Sequence, residues 1–145
     1  MAKSLEKILQ DIQKYKKRHT EEEERKFLEL VDKIFGHVDL NAAKTLMKTF
    51  LETPDYGTQE SVIGALSSAG DDIFIQALVE ELPRLQREAP RWITSLVCPE
   101  IIRRFDLFKK ICLDIPFDKR AALKEILASE ELTKICPEAP KIFLV

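Results

Sequence analysis

The stretch Thr20-Glu21-Glu22-Glu23-Glu24-Arg25-Lys26-Phe27-Leu28-Glu29-Leu30-Val31-Asp32-Lys33-Ile34-Phe35-Gly36 sets the pattern for the whole chain. Thr20 with Glu23 three residues later is a capping box, in which each side chain can bond the other's backbone N–H. Phe27, Leu28, Val31, Ile34 and Phe35 then recur at the spacing of one helix face. Gly36 follows the last apolar residue, where a helix stop is expected.

The same grammar extends in both directions. Upstream, Leu5, Ile8, Leu9, Ile12 and Tyr15 form an amphipathic pattern that ends in Lys14, Lys16, Lys17 and Arg18. Basic residues there complement the helix dipole. Downstream, Asp39 or Asn41 can cap a third helix carrying Leu40, Ala43, Leu46, Met47, Phe50 and Leu51, which Pro54 closes. Asp55-Tyr56-Gly57 reads as a turn, and Thr58 as the cap of a helix ending at Gly70. Asp71 and Asp72 then cap a helix that Leu82-Pro83 breaks. Pro90 suits the first turn of a helix with Trp92, Ile93, Leu96 and Val97, and Pro99 ends it or starts the next. Asp106 caps a further segment, Pro116 and Asp118 start another, and Ser129 to Ile135 is a short last helix. The tail Ile142-Phe143-Leu144-Val145 is apolar and is expected to dock on the core. Trp92 shares the apolar face of Leu96 and is expected in the core.

These blocks predict an all-α fold in one helical domain spanning residues 1–145. Tight linkers favour antiparallel hairpins. The hairpins begin near Asp39, Asp71 and Asp106, 32 and 35 residues apart, near the period of helical-pair solenoids. A HEAT-like right-handed array is therefore expected, with a compact helical bundle as the alternative.

Composition agrees. The 145 residues are 45% hydrophobic and 33% charged. A chain of this length buries roughly two thirds of its unfolded surface, so neither disulfides nor a metal is needed for folding. The three cysteines, Cys98, Cys112 and Cys136, form no C-x-x-C pair and read as reduced core thiols of a cytoplasmic protein. No apolar run reaches the ~20 residues a membrane span requires, and the N-terminus lacks the apolar core of a signal peptide.

Chemistry-bearing patterns are scarce. His19 and His37 have no metal-ligand spacing to a second histidine or a cysteine. There is no G-x-S-x-G elbow, and Gly64 to Gly70 is not followed by Lys-Ser or Lys-Thr. No catalytic residue, cofactor or metal is expected.

Charge is segregated along the chain. No lysine or arginine occurs from Thr49 to Pro83, where seven acids fall: Glu52, Asp55, Glu60, Asp71, Asp72, Glu80 and Glu81. Residues 84–104 carry a net charge of +3, and residues 1–19 carry +4. Helix caps account for part of the acidity. Aligned helix ends would place Glu52 and Asp55 on one rim with Glu80 and Glu81. Such a rim steers a basic partner and repels nucleic acid. Tyr56, in a turn, is the expected exposed aromatic anchor. The basic first helix presents lysines at its C-terminus, the wrong pole for an anion.

Four segments carry a family resemblance: Val62-Ile63-Gly64-Ala65-Leu66, Phe74-Ile75-Gln76-Ala77-Leu78, Glu81-Leu82-Pro83-Arg84-Leu85 and Ala89-Pro90-Arg91-Trp92. Over roughly residues 55–115 the chain resembles the small helical bacterial immunity proteins of polymorphic toxin systems, such as the immunity protein 30 family. The resemblance implies a protein that binds and blocks a cognate toxin domain, commonly a nuclease of a contact-dependent or Rhs-type system. The acidic rim of Glu52, Asp55, Tyr56, Asp71, Asp72, Glu80 and Glu81 would then occupy a basic cleft as a nucleic-acid mimic. The alternative is a HEAT-like adaptor or scaffold within a larger assembly. A DNA-glycosylase-like helical enzyme would need a basic groove, against which the acidic segment argues.

Overall fold

A computed structural model describes residues 4–53 and 57–144. The fold is all-α: 77% of the chain is helical, with no strand among the described residues. Two compact units divide between Phe74 and Ile75.

The first unit begins with α1 (Leu5–Tyr15) and α2 (Glu21–Ile34). Ser4 caps α1, accepting from the Lys7 N–H at 3.3 Å. The Thr20 hydroxyl caps α2, accepting from the Glu23 N–H at 3.1 Å. The Glu23 carboxylate reaches back to the N–H of His19, one residue before the cap, at 3.2 Å. Thr20 thus makes its half of the expected capping box, while Glu23 bonds the residue upstream of the cap in place of the cap itself. Ile8, Leu9 and Ile12 of α1 and Phe27, Leu30, Val31 and Ile34 of α2 are buried, and the two helices pack together. Each such side chain contributes about 1.5–3 kcal/mol on burial.

Gly36, at φ +83°, ends α2 in a conformation that a Cβ would disfavour. Asp39 caps α3 (Leu40–Met47), accepting from the Ala42 N–H at 2.8 Å. This helix is shorter than its sequence pattern, and Phe50 is buried beyond its end. Pro54, the expected closing residue, lies outside the described residues. Helix α4 (Thr58–Ser67) packs on α2 and α3. Gly57, at φ +94°, precedes it, so Thr58 is the first helical residue and not the cap.

Helix α5 (Asp71–Glu88) runs uninterrupted through Pro83, contrary to the expected break. Proline inside a helix costs ~3 kcal/mol or more, through a lost hydrogen bond and a ring clash. Leu78, Val79, Leu82 and Leu85 are all at most 1% exposed, and their burial outweighs that cost. The same reasoning covers Pro99, which lies inside α6 (Arg91–Arg103) between buried Cys98 and Ile101.

In the second unit α6 packs against α7 (Phe105–Asp114) and α9 (Glu130–Ile135), and α8 (Arg120–Leu127) also meets α9. Arg104, not Asp106, stands at the start of α7. A 3₁₀ segment, Ala139–Phe143, closes the unit against α7, α8 and α9. Its Ile142 is fully buried, whereas Leu144 is exposed. Trp92 is half-buried. No helix among the described residues is long and apolar enough to cross a membrane.

Candidate partner-binding surface

Glu52 is exposed on the bend that follows α3. That bend is held from beneath by buried polar groups which sequence patterning did not single out. Gln59, fully buried on α4, accepts from the Leu51 N–H at 2.5 Å and donates its amide to the Thr53 carbonyl at 3.2 Å. Arg18 donates to the Thr49 carbonyl at 3.3 Å, and its guanidinium lies 4.5 Å from the centre of the Phe27 ring. Thr58, 1% exposed, donates its hydroxyl to Glu24 of α2 at 2.9 Å. Polar groups this deep are costly unless bonded. These residues therefore fix the two ends of the α3–α4 connection. Asp55 and Tyr56, its expected acid and aromatic anchor, lie outside the described residues.

Asp71 and Asp72 are exposed in the first turn of α5, where their charge suits the positive end of the helix dipole. Glu60 is likewise exposed in the first turn of α4. Glu80 is exposed on α5 and accepts from the Gln76 amide at 3.0 Å.

Glu81 departs from the expectation. It is only 7% exposed and so does not belong to a solvent-facing rim. The reason is its register: Glu81 lies three residues after Leu78 and four before Leu85, on the stripe that α5 buries. Of the seven expected residues, Glu52, Asp71 and Asp72 are exposed in the first unit and Glu80 in the second.

Two grooves flank α2. The one toward α1, about 400 Å³, is lined by Lys7, Lys14, Lys26 and Lys33 around Tyr15, with Asp11 and Glu29 among them. Lys7 pairs with Asp11 at 3.3 Å, and the Lys14 and Lys26 ammoniums lie 5.3 and 5.6 Å from the Tyr15 ring centre. The other groove, toward α4, measures about 530 Å³ and is lined by Arg25, Leu28, Glu29, Val31, Asp32, Phe35, Ser61 and Gly64.

Nucleophile chemistry finds little support in the thiols. Cys98, Cys112 and Cys136 are all buried. Burial pushes the Cys112 thiol up to about 12. Burial first, and then the neighbouring Cys136, push Cys98 up to about 12 as well. A thiol held protonated is a poor nucleophile and a poor metal ligand. Among the described residues no group of three or more His, Cys, Asp or Glu side chains converges as a metal site would require.

Exposed carboxylates and polar bends on a helical frame can make charge-assisted hydrogen bonds to a cationic partner. Compared with known proteins, the chain matches no family model, no curated protein and no solved structure.

Proposed function

We propose that this chain is an immunity protein that binds and neutralises a cognate toxin domain, a basic protein of the nuclease class, through exposed carboxylates. The observation that carries the reading is the segment from Thr49 to Pro83, which has no basic residue, together with the exposure of Glu52, Glu60, Asp71 and Asp72 in one unit. Two of these acids lie at one helix start and a third at another, where the positive end of the helix dipole stabilises their charge. A surface of this kind attracts a cationic cleft and accelerates encounter at low ionic strength. The resemblance over residues 55–115 supplies the toxin context. The same surface repels nucleic acid, so the partner is a protein.

A second reading, an adaptor within a larger assembly, draws on the second unit. There Ile102, Phe117 and Ile135 are 60–79% exposed, and exposed apolar side chains of this size serve as contacts when they cluster.

The test is capture from the native cell with the tagged chain, at about 50 and 500 mM salt, a range over which surface charge becomes largely screened. It is run beside a variant carrying Glu52→Gln, Asp71→Asn, Asp72→Asn and Glu80→Gln. The immunity reading expects one cationic partner, held less well by the variant and at high salt. Several partners retained equally by both proteins would favour the adaptor.

A further inference from the structure

The groove between α2 and α4 joins two features that the acidic residues do not explain. Arg25, Leu28, Asp32 and Phe35 follow one another at spacings of three, four and three residues, forming one edge of α2. Phe35, at the C-terminal end of that edge, is 55% exposed. The facing wall on α4 is low, because it presents Ser61 and Gly64, and a Cβ built on Gly64 meets nothing within 4 Å. The end of the groove is fixed: the Gly36 N–H donates to Ser68, the residue that follows α4, at 3.0 Å, holding the end of α2 beside the end of α4. The result is an open channel of about 530 Å³. Its edge from Arg25 to Phe35 is about 15 Å long at the helical rise per residue.

We propose that this groove is the docking site for an amphipathic helix of a protein partner, apolar along one stripe and cationic on the flank that meets Glu29 and Asp32. The proposal rests on the reading that the chain acts by binding a basic protein, and it adds which element of that protein is held.

Backbone chemistry selects a helix over an extended peptide. The floor carries apolar Leu28 and buried Val31, and an extended strand would bring unpaired N–H and C=O groups against them. A helix satisfies those groups internally. The three-four spacing on α2 accepts the side-chain ridges of a third helix, and the absent side chain at Gly64 lets its backbone come close. Glu29 and Asp32 provide negative charge along the middle of the edge, while Arg25 at one end repels a cation. This polarity favours one direction of docking.

The experiment is an amide-resolved NMR titration of the full chain with two synthetic helical peptides of about 15 residues, long enough to retain helicity when bound. Both carry the same leucine stripe; one is flanked by lysine and the other by glutamate. The expected result is saturable shifts at Leu28, Phe35, Ser61 and Gly64 with the lysine peptide alone. Gly64→Trp, which fills open space in a helix, should weaken that binding at least ~10-fold, a typical loss when a central contact is blocked. Its circular dichroism should stay unchanged. Phe35→Ser gives an independent second loss. The proposal is overturned by absent shifts, by equal binding of both peptides, by undiminished binding to Gly64→Trp, or by a concentration-dependent dimer that Gly64→Trp abolishes. Failure here with the salt-sensitive cellular capture intact would remove the groove and leave the wider reading standing.

Discussion

Arg18 places its guanidinium 4.5 Å from the centre of the Phe27 ring while its own backbone sits at φ +50°. A non-glycine residue accepts that conformation at a cost of order 1 kcal/mol or more. The side chain offsets it: it is 9% exposed, covers fully buried Phe27, and donates to the Thr49 carbonyl. Arg18→Ala should therefore destabilise the protein by about 2–3 kcal/mol, since it removes a desolvated cation–π contact and a buried donor. Arg18→Gly should cost less than Arg18→Ala, because glycine relieves the backbone. Urea unfolding of the three proteins gives the order.

Gln59 predicts a local effect. Its amide bonds both Leu51 and Thr53, so Gln59→Leu leaves two backbone groups without their partners. The expected cost is about 2 kcal/mol. The Leu51 amide should also exchange hydrogen faster than amides of α2. Unchanged exchange at Leu51 would mean that the bend is held by something else.

Pro83 predicts a gain. Pro83→Ala restores a donor for the Val79 carbonyl in the middle of α5, and should stabilise by roughly 1–2 kcal/mol, somewhat under the full helix-interior penalty because proline also restricts the unfolded chain. A lower denaturation midpoint for Pro83→Ala would show that the ring packs better than its backbone cost suggests.

Thr133 is a second gain. Its hydroxyl is buried with no hydrogen-bond partner among the described residues. Thr133→Val keeps the shape and removes the unpaired group, for an expected gain of about 1 kcal/mol. The readout is a shifted urea midpoint at constant slope.

The thiols give a pH signature. Cys98 and Cys112 are raised from 9.0 to about 12 in the folded chain. The fold favours the protonated thiols, so their contribution is complete below pH 9 and is lost as pH rises through 12. Wild-type protein should lose stability over that window more steeply than Cys112→Ala, followed by chemical unfolding at each pH. At pH 8 a disulfide-exchange reagent should modify Cys98 and Cys112 only on unfolding.

Much of this architecture is legible in the residues. Thr20 with Glu23, Asp39, Ser129 and Gly36 each mark a helix end where local hydrogen bonding or a positive φ dictates it. Pro83 and Pro99 mislead, because local propensity yields to the burial of their neighbours. The candidate surface is less legible. The acid pattern anticipates exposure at Glu52, Asp71, Asp72 and Glu80, but counting charges along the chain ignores which face each occupies, and Glu81 falls on the buried side of α5. The support beneath the bend, built by Arg18, Thr49, Thr58 and Gln59, carries no periodic signal, since contacts such as Arg18 to Thr49 join residues far apart in sequence.

Neutralisation of a basic toxin by exposed carboxylates is the proposal to be tested. Its most direct measurement is growth of cells expressing the captured basic partner, with this chain or with its Glu52→Gln, Asp71→Asn, Asp72→Asn, Glu80→Gln variant. The expected result is that the partner alone arrests growth, that the chain restores it, and that the folded variant does not. A harmless partner, or equal protection by the variant, would contradict it.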